Sequence, residues 1–260
     1  MSKNIIYCYS GSGNCLDIAK NIAAVLGDTD IVMMRSFPEV TNCIGAERVG
    51  FVFPCYAGGL PGRVEEYVRS ISIGRDAYKF AVCSCSGYPG VGLAKIDEIV
   101  GLDYHAVITH KCSCIWLLPP STMVPPMSAG AAQKRSEKLA AKVGADAKAF
   151  VKCEKKPSAP AVNRLESSLW PMLSAKKAQK MTVTDSCVAC GQCAEICPQK
   201  NIRIENGRAV IGTDCIQCLS CLQYCPRKAI NLGGITVKRG RYHNSNVRAA
   251  DLAQKVIHIA

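Results

Sequence analysis

The sequence predicts an α/β chain, a doubly wound parallel five-stranded sheet followed by a small α+β domain rich in cysteine. Three observations predict it. Short apolar runs alternate with segments of helical periodicity through residues 1–109. A small polar loop, Ser10-Gly11-Ser12-Gly13-Asn14-Cys15, joins the first run to the first helical segment. Eight of the 17 cysteines fall between residues 187 and 225, in two copies of one spacing, whereas the rest scatter over residues 8–153.

Taken in order, Asn4 to Tyr9 read as a strand and Leu16 to Leu26 as a helix. Asp30 to Met34, Arg48 to Phe53, Tyr78 to Cys85 and Tyr104 to Thr109 are the further strands. Pro61 to Ile73 and Val91 to Val100 read as helices, the first with proline in its opening turn. Strands that alternate with helices make a parallel sheet covered on both faces. A last helix is expected over Ala131 to Cys153, delayed by the proline-rich stretch Pro119 to Pro126. Residues 154–181, rich in Lys, Ala, Ser and Pro, read as a basic linker with a helix around Arg164 to Lys180. The domains expected are therefore 1–153, the linker 154–181, the cysteine-rich domain 182–232 and a tail 233–260.

Hydrophobic residues make up 48% of the chain and charged residues 20%, enough to bury a core and too apolar for a disordered chain. No apolar run is long enough to span a bilayer and the N-terminus lacks signal-peptide features, so a cytoplasmic protein without a membrane span is expected. The formal net charge is +12, with the excess beyond residue 115. The basic stretch lacks interleaved aromatics, which disfavours nucleic acid; it suits either a solvated face or docking of an acidic partner.

In a reducing compartment, so many cysteines point to metal chemistry rather than disulfides. Cys187, Cys190, Cys193 and Cys197 with Pro198 form C-x2-C-x2-C-x3-C-P, and Cys215, Cys218, Cys221 and Cys225 with Pro226 repeat it. A tight loop wraps three thiolates around one iron–sulfur cube while the fourth projects to the other. One set is then Cys187, Cys190, Cys193 and Cys225; the other is Cys215, Cys218, Cys221 and Cys197. Structural zinc is the competing reading, but the spacing of three close cysteines, one remote cysteine and proline, present twice, favours clusters. The segment resembles the bacterial two-cluster ferredoxin, which implies two 4Fe-4S clusters. Cys8, Cys83, Cys85, Cys112 and Cys114, at strand ends, read as small buried apolar residues.

In open parallel sheets the ligand lies beyond the carboxyl ends of the strands. The loops there are 10–15, 54–60 and 84–90. Leu16 stands where a dinucleotide fingerprint needs glycine, no Walker Gly-Lys-Ser/Thr follows, and Asn14 stands where a phosphatase loop built on Cys8 needs arginine. The pattern Ser-x-Ser-Gly-Asn resembles the flavodoxin phosphate loop, and Pro54-Cys55-Tyr56-Ala57-Gly58-Gly59 and Ser84-Cys85-Ser86-Gly87-Tyr88 match the two loops that hold the isoalloxazine in that family. That resemblance implies FMN, with Tyr56 and Tyr88 placed to flank the ring. Cys15 departs from the hydroxyl residue usual in the family, and a thiol is a weaker donor.

Both modules in this order resemble the flavodoxin-ferredoxin fusion proteins of anaerobic bacteria and archaea. The resemblance implies an electron-transfer protein joining FMN to two 4Fe-4S clusters and serving a redox partner of anaerobic metabolism, with no side chain acting as acid or base. Two alternatives stand beside it. One is an FMN-dependent reductase of a small acceptor fed through the clusters; the other is a ferredoxin with an FMN-free flavodoxin-like docking domain. A homodimer is a further way to bring the two modules together between chains.

Overall fold

The computed structural model describes residues 2–35, 41–61, 64–110, 128–165, 167–169 and 180–260. The strands are β1 (Asn4–Cys8), β2 (Thr29–Met33), β3 (Asn42–Cys43), β4 (Arg48–Pro54), β5 (Ser72–Ile73), β6 (Tyr78–Cys85) and β7 (Tyr104–Thr109) in the first part. In the second part they are β8 (Met181–Val183), β9 (Ile202–Glu205), β10 (Arg208–Ile211), β11 (Ile230–Leu232) and β12 (Val256–Ile259). The helices are α1 (Asn14–Leu26), α2 (Val64–Arg69), α3 (Gly92–Val100), α4 (Ala129–Lys148), α5 (Gln192–Ile196), α6 (Ser220–Gln223) and α7 (Ala249–Ala253).

The main sheet has the order β12-β2-β1-β4-β6-β7. Its five strands from β2 to β7 are parallel, and their order is that of the flavodoxin-like doubly wound fold. Alternate side chains of the buried strands feed two cores. On one face Ile6, Val82 and Phe80 meet Leu16 and Ile22 of α1 and Val143 of α4. On the other, Ile5, Tyr7, Phe51 and Phe53 meet Val68 of α2 and Leu93 and Ile96 of α3.

The five parallel strands stand where the sequence places them, within one residue at each end, and β12 is added. It comes from the tail and pairs antiparallel with β2, Val256 opposite Val32 and Ile259 opposite Thr29. A four-residue apolar alternation at the end of a chain carries little signal alone, but it protects an edge that would otherwise present unpaired backbone groups.

Two helices are shorter than their periodicity suggests. The segment Pro61 to Ile73 contains α2 and then the strand β5, because Ser72 N–H donates to Thr41 O instead of continuing the helix. α4 starts at Ala129, where the Ser128 hydroxyl accepts from Ala131 N–H. It ends at Lys148, not Cys153, as Phe150 turns into the left-handed region and places its ring 4.0 Å from the Arg48 guanidinium. Residues 161–165 and 167–169 of the linker are helical. Pro119 to Pro126, Cys112, Cys114 and most of the remaining linker lie outside the described residues.

The cysteine-rich part is built of two halves. β8 pairs with β11, β9 with β10 through the Asn206-Gly207 turn, and Ile202, Leu222, Ile230 and Leu232 form a small core against the cysteines. No described helix is long and apolar enough to cross a membrane.

Candidate functional site

The eight motif cysteines surround two voids. Cys187, Cys190, Cys193 and Cys225 line the first, together with Ile204, Ala209 and Ile230. Cys197, Cys215 and Cys218 line the second with Met181, Ile202 and Ile211, and Cys221 borders both. Each void therefore draws its remote cysteine from the other half of the repeat. Among the described residues no three His, Cys, Asp or Glu side chains converge on a point fit for a single ion.

The backbone repeats the same conformations in both motifs. Ala189 and Gln217, two residues after the first cysteine, are left-handed at φ 52° and 55°, and Gly191 and Leu219 follow at 81° and 59°. Lys200 and Lys228, three residues after the remote cysteines, stand at 50° and 51°. Left-handed residues with side chains are strained, and their recurrence at matching positions marks a loop wound around something. Backbone donors also match: Asn201 N–H points to Cys197 Sγ at 3.4 Å and Ala229 N–H to Cys225 Sγ at 3.3 Å. The Ser220 hydroxyl adds a donor to Cys218 Sγ at 3.4 Å. Burial pushes the thiols of Cys193 and Cys218 up to about 11 and raises Cys221 further, so without metal these groups are neutral.

Two guanidinium groups sit beside the remote cysteines. Arg35 donates to the carbonyls of Glu195 and Cys197, at 2.7 and 3.1 Å, and to Leu252 O at 2.7 Å. Arg241 donates to Ile230 O at 3.0 Å and Asn231 Oδ1 at 2.8 Å, near enough to feel the charge of Cys225. The two sets differ in exposure. Cys190 and Val188 of the first lie open to solvent, whereas the second is pressed against the α/β domain.

The three loops at the carboxyl ends of the parallel strands come together, but not around open ground. Ser10 Oγ accepts from Gly13 N–H at 3.1 Å. Ser12 O accepts from Asn244 N–H at 2.8 Å and from Tyr224 Oη at 3.2 Å. Asn14 Oδ1 accepts from Tyr242 Oη at 2.8 Å and Asn244 Nδ2 at 3.3 Å. A Cβ on Gly11 would lie 2.4 Å from Cys218 O and 2.5 Å from Tyr56 Oη; one on Gly13 would lie 2.5 Å from Tyr224 Oη. The small residues of this loop thus admit the chain's own carbonyl and phenol. Cys15 is buried beneath, its thiol against Ser84 and its pKa pushed well up by burial.

The other two loops close on each other. Pro54 ends β4 opposite Ser84, and Cys55 N–H donates to Ser84 O at 2.9 Å. Tyr56 pairs with Gly59 around Ala57 and Gly58, and its ring meets Tyr9 edge-on. Gly58 O accepts from Val91 N–H at 2.7 Å, leaving no slot between loops 54–60 and 84–90 at that point. Cys85 is buried at the end of β6 with the Gly87 backbone donating to its thiol, Ser86 is half-buried, and Tyr88 is exposed. In this arrangement tail residues engage Ser12 O and Asn14 Oδ1 of the first loop, and the other two loops are bonded to each other at Gly58 and Val91. Tyr9, Arg35, Tyr224 and Asn244 escape sequence reading because their roles depend on how the two modules dock. Tyr242 and Arg241 stand out in the tail as an aromatic and a cation among polar residues, but the sequence does not name what they meet.

The 4Fe-4S binding domain family, Fer4, matches residues 182–203, which span the first cysteine motif. No curated protein matches the chain. An azoreductase from Bacillus anthracis str. Sterne is a partial structural likeness, 10% identical over 55% of this chain and 99% of its own, with a TM-score of 0.38. A flavoprotein from Lactobacillus acidophilus NCFM, solved in complex with FMN, is 12% identical over 41% of this chain and 93% of its own, with a TM-score of 0.32. Rubredoxin oxygen:oxidoreductase from the anaerobe Desulfovibrio gigas is 14% identical over 58% of this chain, with a TM-score of 0.37. The chain spans 37% of that protein's length.

Proposed function

We propose that the chain is an iron–sulfur electron carrier holding two 4Fe-4S clusters, with the flavodoxin-like domain as the platform against which one of them is docked. The observation that carries this is the pair of cysteine-lined voids with the same left-handed backbone at matching positions. When bound, such clusters supply reversible one-electron transfer.

The chain's own residues set the terms of that transfer. Cys187, Cys190, Cys193 and Cys225 would hold one cluster, and Cys215, Cys218, Cys221 and Cys197 the other. Backbone N–H groups of Asn201 and Ala229 and the guanidinium groups of Arg35 and Arg241 bring positive potential to the remote thiolates, which favours the reduced state. The open flank at Val188 and Cys190 is the place for a partner to approach, while the second cluster is shielded. Arg227 and Lys228, exposed on the loop that carries Cys225, suit an acidic partner there.

FMN is the second reading, favoured by loops gathered at the carboxyl ends of a flavodoxin-like sheet and by an α1 N-terminus with no side-chain cap. It requires Tyr224, Tyr242 and Asn244 to withdraw from loop 10–15. The reductase alternative is less well supported, because it needs an open pocket where Gly58 and Val91 are bonded together. Iron, acid-labile sulfide and FMN measured on protein purified without oxygen test the proposal. About eight irons per chain with far less than one FMN is the expected result. About four irons would reduce the chain to a single cluster, and one FMN per chain would establish the second reading.

A further inference from the structure

Tyr9 follows β1 at the carboxyl end of the sheet and is 4% exposed. Its hydroxyl is buried and finds no hydrogen-bond partner among the described residues. A buried polar group left unpaired in a folded protein calls for an explanation. The ring is held edge-on to Tyr56 with centroids 6.3 Å apart. It belongs to the core against which Ile216 and Cys218 pack, and it shares a crevice with Pro198, Gln199 and Ile216. Both sequence neighbourhoods are those of thiols lining the second void.

We infer that Tyr9 donates its hydroxyl hydrogen to the Cys218 sulfur when that sulfur is a cluster ligand, so that a residue of the α/β domain tunes the second cluster. The inference rests on the two-cluster reading. A donor aimed at a ligand sulfur is worth more once the cluster has gained an electron and the sulfur more negative charge, so it raises the reduction potential. One electron enters and no bond is made or broken; the phenol keeps its proton throughout. Tyr9 is thus the reason the second cluster belongs against this sheet. Without it, docking would bury thiolates against an apolar wall and lower the potential.

The test is a dithionite titration of the full-length, cluster-loaded protein followed by electron paramagnetic resonance, wild type against Tyr9→Phe. Phenylalanine keeps the ring and removes only the donor. One of the two midpoints is expected to fall by about a tenfold change in its one-electron equilibrium, about 59 mV, while the other stays. That shift should be absent when Tyr9→Phe is made in a Cys197→Ala background. Tyr242→Phe, which breaks a different contact between the tail and the sheet's loops, should move neither midpoint. Two unchanged midpoints in Tyr9→Phe at full iron content, or equal shifts of both, would overturn the inference. Wild-type iron well below eight per chain would instead sink the cluster reading beneath it.

Discussion

The phenol of Tyr242 donates to Asn14 Oδ1 at 2.8 Å and so joins two residues 228 positions apart. Asn244 reinforces the contact from its backbone and its side chain, the latter also donating to Gln133 at 2.8 Å. The loop that a bare doubly wound domain leaves open is thereby covered here by the tail.

Uncovering that loop should change what it binds. Tyr242→Ala with Asn244→Ala removes two side chains that engage Asn14, leaving the loop's backbone intact. FMN titrated by fluorescence quenching should bind this double variant at least about tenfold more tightly than wild type, the equivalent of one lost hydrogen bond in competition. Equal affinities would mean that the tail is not what excludes the flavin.

Gly13 cannot carry a side chain. At φ 92°, a Cβ would also strike Tyr224 Oη at 2.5 Å and Val247 Cβ at 3.0 Å. Gly13→Ala should cost about 2–4 kcal/mol in chemical denaturation and make the 233–260 segment protease-sensitive first. A stable, protease-resistant variant would show that docking tolerates a gap.

Replacing a remote cysteine should remove the cluster of the other motif's triad. Cys197→Ala is expected to lose the cluster held by Cys215, Cys218 and Cys221, and Cys225→Ala that held by Cys187, Cys190 and Cys193. About half the iron and one of two paramagnetic signals should vanish in each case. Loss of the same signal in both variants would contradict the exchange of ligands between halves.

Acid should release the tail. Burial alone would raise the pKa of Asp251, but the Arg248 backbone N–H and the Lys20 ammonium, 3.2 Å away, outweigh it and hold the carboxyl below its ordinary value. A depressed pKa gives stability that is present above the unfolded value of about 3.9 and is lost as pH falls through the folded value. Hydrogen exchange of residues 249–259 should therefore accelerate below about pH 4, and Asp251→Asn should show faster exchange already at pH 7 with less further change. Asp103 and Asp146, shifted in the same direction, add to acid unfolding elsewhere.

Arg48 should prove the most costly charge to remove. It is 8% exposed and donates to Ala147 O, Lys148 O and Asn4 Oδ1 beneath the Phe150 ring. Arg48→Met should lower stability by about 2–4 kcal/mol, because the carbonyls at the end of α4 lose their donors. Circular dichroism during urea unfolding reads it directly.

Legibility followed the range of the forces involved. β1, β4 and β6 are buried on both faces, so their apolar runs stand out, and the cysteine repeat is set by the geometry of a local loop. Loop 10–15 was legible as a backbone cradle but not as to its contents, since glycine admits a phosphate and a tyrosine hydroxyl on equal terms. Tyr9 and Arg35 read as ordinary strand-end residues because what Arg35 faces lies 160 positions away and what Tyr9 faces lies farther still. The 256–259 segment is a strand only because β2 offers an edge.

The pairing of β12 with β2 also sets an order of assembly. A ribosome delivers residues 29–33 long before 256–259, so the outer edge of β2 stands bare while the cysteine-rich segment is being made. The iron–sulfur module is consequently enclosed in the chain between two parts of one sheet. A nick in the 154–181 linker would leave two polypeptides still travelling as one particle, clasped at Ser12–Asn244 and along β2. The two modules are therefore interlaced parts of one body rather than beads on a string.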